Sequence, residues 1–245
     1  MQNTFKRHEL KYLMTAMQQK DLLEIMKKHM HPDEFGKSTI CSIYFDTPNH
    51  VIIRRSMEKP EYKEKLRLRS YGVPSADGNV FAELKKKYKG IVYKRRIALR
   101  EEEAMAYLEG KSHAPVCSQI TKEIDYFLTC YPGIAPAVYI AYNRTAYYGN
   151  GDPNFRVTFD RDIIWRNKNL RLSSGVYGEN LLDDDVRLME VKIGKAVPLW
   201  LAEVLSNMEV YKTSFSKYGR IYQQMRHNSY AEATPGIYDA AGAVS

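Results

Sequence analysis

The chain has 245 residues, 44% hydrophobic and 27% charged, which reads as globular and long enough to bury a core without disulfide staples. Its 37 Lys and Arg against 29 Asp and Glu leave a net charge of +8. That balance points to an anionic partner, whether nucleic acid, an anionic membrane surface or a phosphate compound; a slightly basic soluble protein is the plainer alternative. Cys41, Cys117 and Cys130 have neither disulfide-framework nor zinc-ligand spacing. The first residues lack the apolar run of a signal peptide, and no stretch approaches a membrane span. The expectation is a soluble, cytoplasmic chain in a reducing setting.

In chain order, Phe5 to Leu13 alternates as a first strand. Thr15 caps a helix expected to run to about Met30, with Leu22, Leu23, Met26 and Met30 as its apolar stripe. Thr39 to Phe45 is a strand that ends in the Asp46-Thr47-Pro48 turn, followed by a short helix from His50 to Arg55. Lys65 to Tyr71, Val80 to Tyr88 and Val92 to Leu99 read as strands, the last two joined at Gly90. A helix from Glu101 to Leu108 stops at Gly110, and another around Ile120, Ile124, Phe127 and Leu128 closes at Tyr131-Pro132-Gly133. Val138 to Tyr148, Phe155 to Ile163 and Arg187 to Ile193 are further strands. Pro198 opens a helix to Met208. Residues 1–226 show neither linker nor repeat, and the Ala-, Gly- and Ser-rich tail 227–245 reads as disordered. Many antiparallel strands with a few interposed helices give an α+β class: an antiparallel closed β-barrel with peripheral helices.

Period-two geometry places residues i, i+2 and i+4 of a strand on one face. By that rule Lys65, Arg67 and Arg69 share a face, as do Glu83, Lys85 and Lys87. Lys94 pairs with Arg96, Glu190 with Lys192, and Arg156 with Thr158 and Asp160; Arg7, Glu9 and Lys11 form a further set, and Arg144 adds a cation. On any one strand such a face is ordinary solvated surface. The combination is less ordinary, because no acidic residue interrupts Lys65-Leu66-Arg67-Leu68-Arg69. Two cations about 8 Å apart repel by roughly 2 kcal/mol at an effective dielectric near 20. Several such rows aimed at one lumen need water or a polyanion, and arginine's planar fork suits phosphate oxygens. Glu9, Glu83 and Glu190 each precede a lysine by two residues. That spacing is local charge balance or a hard-oxygen site for Mn²⁺ or Mg²⁺; Glu190, in the least cationic segment, is the preferred ligand, with Glu9 and Glu83 as additions.

These segments resemble the VTC domain, the polyphosphate polymerase branch of the triphosphate tunnel metalloenzyme superfamily. The resemblance is carried in order by Arg7 to Tyr12, Tyr44 to Thr47, Lys65 to Gly72, Glu83 to Lys85, Tyr142 to Arg144, Arg156 to Asp160, Glu190 to Lys192 and Ser214 to Gly219. It implies an antiparallel tunnel that binds ATP or another NTP and moves the γ-phosphate onto a growing inorganic polyphosphate. It also implies Arg67, Arg69, Lys85, Arg144 and Arg156 as catalytic cations and Lys11, Lys65, Lys94, Arg96 and Lys217 as phosphate ligands, with Glu190 on the metal. Ser216-Lys217-Tyr218-Gly219 reads equally as a helix-capping turn. Where the wider superfamily has the first Glu of a Glu-x-Glu-x-Lys strand, this sequence has Arg7, which resembles the polymerase branch. No accessory or membrane domain of the kind the resemblance brings with it is expected here; either a partner protein of unknown identity supplies those roles or the chain acts freely.

Three rivals stand beside the polymerase. One is a metal-dependent triphosphatase on the same scaffold, and one is a non-catalytic sensor of polyphosphate or inositol phosphates. The third is an RNA-binding module using some of the 19 tyrosines, for which no nucleic-acid motif appears.

Overall fold

The computed structural model describes residues 8–233, positions 90 and 195 excepted. Elements run β1 (His8–Thr15), α1 (Ala16–Met26), β2 (Met30–Asp46), α2 (Val51–Met57), β3 (Tyr62–Tyr71), β4 (Val80–Tyr88) and β5 (Ile91–Leu99). They continue with α3 (Glu101–Leu108), α4 (Gln119–Cys130), β6 (Ala135–Gly149), β7 (Asp152–Arg166), β8 (Glu179–Asn180) and β9 (Val186–Ile193). The chain then forms α5 (Leu199–Asn207), β10 (Lys212–Thr213) and α6 (Lys217–Ala233). One antiparallel sheet has the order β10-β1-β9-β7-β6-β2-β3-β4-β5, with β8 added on β7.

Local chemistry sets most of the ends. Thr15 caps α1, its hydroxyl accepting from the Gln18 amide while the Gln18 side chain accepts from the Thr15 amide. The helix stops at Met26, short of the expected Met30, because Met30 is already paired with Gly149 in the sheet. β2 therefore starts well before Thr39; a register shift between Pro32 and Lys37 absorbs the proline, and Gly36 takes φ 56°. Asp46 ends β2 and organises α2, accepting from the amides of Ile52 at 2.9 Å and Ile53 at 3.0 Å. α6 passes His227, where the tail was expected to begin, and continues to Ala233; the rest of that tail lies outside the described residues, as does Arg7.

Two apolar layers cover the outside of the sheet. Leu66, Leu68, Ala82 and Leu84 of β3 and β4 pack with Ala104 and Leu108 of α3 and Ile124 and Phe127 of α4. Val157, Met189 and Val191 pack with Leu22 and Met26 of α1 and Leu201 and Leu205 of α5. A third cluster lies on the opposite face. Val138 and Ile140 face the same side as Tyr44 and Ser42, their partners in the ladder, and they pack against Ile53 of α2 and Ile221 and Tyr222 of α6. Thus α2 and α6 sit on the concave side and cover part of it.

The sheet curls into a tunnel without hydrogen-bonded closure: β5 and β10, at its two ends, do not pair. This qualifies the expected closed barrel. The sides meet through side chains, with Lys85 Nζ of β4 3.2 Å from Glu9 Oε2 of β1.

Candidate functional site

The registers place the predicted residues on one face. Across β3 and β4, Arg67 faces Glu83 and Lys65 faces Lys85; across β4 and β5, Glu83 faces Arg96 and Lys85 faces Lys94. Across β1 and β9, Lys11 faces Glu190 and Glu9 faces Lys192. Across β9 and β7, Lys192 faces Arg156 and Glu190 faces Thr158; across β7 and β6, Asp160 faces Arg144. Ser42 and Tyr44 of β2 face Arg69 and Arg67, joining the two halves. Outward neighbours such as Leu66, Leu84, Val157 and Val191 are fully buried under the helices, so the charged face is the one turned into the lumen.

Glu83 is the first electrostatic centre. Its side chain is fully buried, with Oε2 2.6 Å from Arg67 Nη2, Oε1 2.6 Å from Lys94 Nζ and Arg69 Nε at 3.9 Å. Burial alone would raise its carboxyl; these three cations override that and hold it at about 2. Arg67 also donates to the Tyr44 hydroxyl at 3.2 Å, and Arg69 to those of Ser42 and Tyr142, each at 3.3 Å. Burial resists ionisation of Tyr44, yet Arg67, Arg69 and Lys65 together bring its phenol down to about 7.

Asp160 is the second centre. Arg144 grips it with both prongs, Nε to Oδ1 at 2.6 Å and Nη2 to Oδ2 at 2.7 Å. Lys217, the first residue of α6, donates to the same Oδ2 at 2.5 Å and lies 4.2 Å from the centre of the Tyr142 ring. Burial would raise the Asp160 carboxyl, and Lys217 and Arg144 hold it below its ordinary range. The capping-turn reading of Ser216-Lys217-Tyr218-Gly219 describes the start of α6. Ser216 accepts from the Gly219 amide at 3.2 Å as the helix starts, and that start aims Lys217 into the lumen.

Glu190 is more loosely held: Lys11 Nζ is 3.3 Å from one oxygen and Arg144 Nη2 3.6 Å from the other. Burial opposes its charge, while Lys11, Lys217 and Arg144 drive its carboxyl well below the usual range. Across the ladder the buried Thr158 hydroxyl has no hydrogen-bond partner among the described residues. Of the remaining predicted cations, Arg156 binds Asp33 at 3.0 Å beside the Tyr148 ring, and Arg96 lies over Phe81. Lys65, 3.4 Å from the Ser216 hydroxyl, is pushed down to about 8 by burial and by Lys11, Lys63 and Lys85.

The VTC domain profile matches residues 6–226. The chain belongs to the VTC domain family. Subunit 4 of the vacuolar transporter chaperone complex of Schizosaccharomyces pombe is 25% identical over 89% of this chain. This chain spans 37% of that longer relative. Among solved structures, a candidate adenylate cyclase from Bacillus halodurans superposes with a TM-score of 0.52 at 13% identity, covering 86% of this chain and 95% of its own. A Hippeastrum adenylyl cyclase candidate with a dominant triphosphatase activity gives 0.51 at 13%, covering 88% and 95%. At that identity the likeness is one of fold.

Within the VTC domain the lumen gathers every predicted site residue. It also holds three groups that the sequence did not nominate. Lys192 lies beside Glu190 and Glu9, and burial lowers it to about 8 against the pull of both carboxylates. Asp160 shares a strand face with Arg156, but its tie to Lys217 depends on α6, far along the chain. Tyr44 looked like a strand former; only the fold brings three cations to it. Among the described residues no cluster of three or more His, Cys, Asp or Glu is arranged to hold a metal. A divalent ion here would take one or two carboxylates from the protein and the rest of its shell from phosphate and water. Glu190, with Glu9 on the adjoining strand, meets that description better than Glu83, whose two oxygens are already closed by contacts of 2.6 Å.

Proposed function

We propose that this VTC domain is an NTP-dependent polyphosphate polymerase, transferring the γ-phosphate of ATP to a linear polyphosphate held in the tunnel. One observation carries the reading: Lys and Arg from β1, β3 to β7, β9 and α6 all face one lumen, where they outnumber the carboxylates. Such a lining repels itself, and a chain of phosphates matches both its sign and its shape. Family membership supports the same substrate class, and the name of the S. pombe relative supports work within a complex, with a partner protein. Among the described residues no helix is long and apolar enough to cross a membrane.

The chemistry is positioning and charge neutralisation. Arg67, Arg69, Lys85, Arg144 and Arg156 would align the reacting phosphates and spread the negative charge of the transferred group. Lys11, Lys65, Lys94, Arg96 and Lys217 would hold the flanking phosphates. A terminal oxygen of the polymer attacks the γ-phosphorus, and the β–γ bridging P–O bond breaks. ADP leaves with the electron pair. The attacking oxygen is already anionic, so no protein base is required. Glu190, with Glu9 and the unpartnered Thr158 hydroxyl, offers hard oxygen donors suited to Mn²⁺ or Mg²⁺. When bound there, such an ion would neutralise charge on the phosphate oxygens.

Purified protein incubated with ATP and Mn²⁺, its products resolved on a gel stained for polyphosphate, tests the proposal. The expected result is a metal-dependent ladder of long chains that Arg67→Ala abolishes. Phosphate release from inorganic triphosphate with no ladder would make the domain a hydrolase. Tight polyphosphate binding with neither product would make it a sensor.

A further inference from the structure

The lumen face of β3 to β5 changes character in one direction. On one side of the Arg67–Glu83 pair it carries Lys65 and Lys63 opposite Lys85 and Lys87, with no aromatic ring. On the other side Arg69 is followed by Tyr71, and the partner of Arg69 on β4 is Phe81, which in turn faces Ala98 on β5. Tyr71 and Phe81 meet edge to face, with centroids 6.0 Å apart and planes at 75°. The Arg96 guanidinium covers Phe81 at 4.8 Å from its centroid. Tyr71, by contrast, is 55% exposed although it sits on the lumen-facing side of the strand.

Residues two apart on a strand are about 7 Å apart, so Tyr71 lies one step beyond Arg69 and two beyond Arg67. A triphosphate held by Arg67, Arg69 and Lys94 would bring its nucleoside to this end. A flat, π-rich base stacks on an exposed tyrosine that is steadied by a second ring, and a neighbouring guanidinium adds cation–π attraction. The lysine end offers only point charges, which suit a chain that has no base.

We propose that Tyr71 is the stacking platform for the nucleobase of the incoming nucleoside triphosphate, with Phe81 as the positioning residue that holds its ring. The tunnel then has a polarity: the nucleoside enters at the Tyr71 end, and the base-free polymer lies toward Lys63 and Lys87. This inference rests on the nucleotide-using reading of the site, and its test separates the two.

The test is calorimetric binding of ATP and of inorganic triphosphate to the full chain, in wild type, Tyr71→Ala, Tyr71→Phe and Phe81→Leu. Stacking of this kind is worth about tenfold or more in affinity. Tyr71→Ala is expected to weaken ATP by about tenfold and to leave inorganic triphosphate as in wild type. Tyr71→Phe keeps the ring and is expected to restore ATP binding, and Phe81→Leu to fall between the two. Loss of both ligands in parallel, or ATP binding unchanged in Tyr71→Ala, would overturn the platform while leaving the phosphate tunnel standing. Wild-type protein that binds neither ligand would overturn both.

Discussion

Lys217 and Asp160 join the last helix to the wall of the tunnel: the ammonium that opens α6 lies 2.5 Å from a carboxylate that has no exposed side-chain surface. Asp160 also takes the Arg144 fork, so one buried anion holds two cations from distant parts of the chain. The substitution Asp160→Asn leaves those cations facing each other. Removing one partner of a buried pair costs about 3–5 kcal/mol. We expect a fall in thermal stability of that order in the ligand-free protein. Added polyphosphate should recover more stability in Asp160→Asn than in wild type, because the bound anion replaces the lost charge. Equal recovery in the two, read by thermal unfolding, would show that phosphate does not reach this part of the lumen.

Arg67→Ala separates structure from chemistry. The fully buried Glu83 would lose its 2.6 Å contact with Arg67 and keep Lys94 and Arg69. We therefore expect a modest loss of stability together with a loss of turnover of about 100-fold or more, the usual effect of removing a charge-stabilising donor. A folded variant with near-normal polymer formation would remove Arg67 from the chemistry.

The tunnel has a pH signature of its own. Tyr44 is brought down to about 7 from an ordinary 10, and Lys65 to about 8 from 10.5. Between the folded and unfolded values the unfolded chain binds more protons at both groups, so their contribution to stability rises with pH. The Tyr44 contribution is fully present above about 10 and lost as pH falls through about 7. Ultraviolet titration should show one phenolate forming near neutrality in the ligand-free protein. That step should move upward in Arg67→Ala, which removes a neighbouring positive charge. Bound phosphate favours the protonated forms of both groups, so ATP binding near pH 8 should take up protons, measurable by calorimetry in buffers of different ionisation heat.

Much of the fold was legible because it is set locally. The bounds of α3 and β4 match the sequence reading, and β9 begins one residue early at Val186. The features that were missed are non-local. The first half of β2 carries Pro32 and Gly36, which look like breakers, and it is a strand because β6 extends to Gly149 and pairs with it. α6 opens on a tetrapeptide that also reads as a turn, and its helical state follows from packing Tyr218, Ile221 and Tyr222 over the concave face. Period two revealed which residues share a strand face. It did not reveal that Lys85 meets Glu9 across the lumen, nor which partners Lys192 and Asp160 would find beyond their own strands.

The carboxylates should separate by role. Glu190→Gln is expected to raise the Mn²⁺ concentration needed for half-maximal polymer formation with little effect on folding. Glu83→Gln is expected to destabilise the protein, since it leaves Arg67 and Lys94 without their buried anion, and to leave the metal requirement of the folded fraction unchanged. Metal titrations of both variants, alongside their unfolding curves, check the division. The reverse pattern would move the metal to Glu83.

The most direct measurement is affinity as a function of phosphate chain length, from orthophosphate through triphosphate to long polyphosphate, at fixed ionic strength. A tunnel lined continuously with cations predicts affinity that climbs with each added phosphate until the chain spans the lumen and then levels off. It also predicts that saturating long chain raises the melting temperature by roughly 5–10 °C at about 100 times its dissociation constant. Orthophosphate binding as tightly as the long chain, or affinity that keeps rising in proportion to total charge with no plateau, would contradict a tunnel built for a linear polyphosphate.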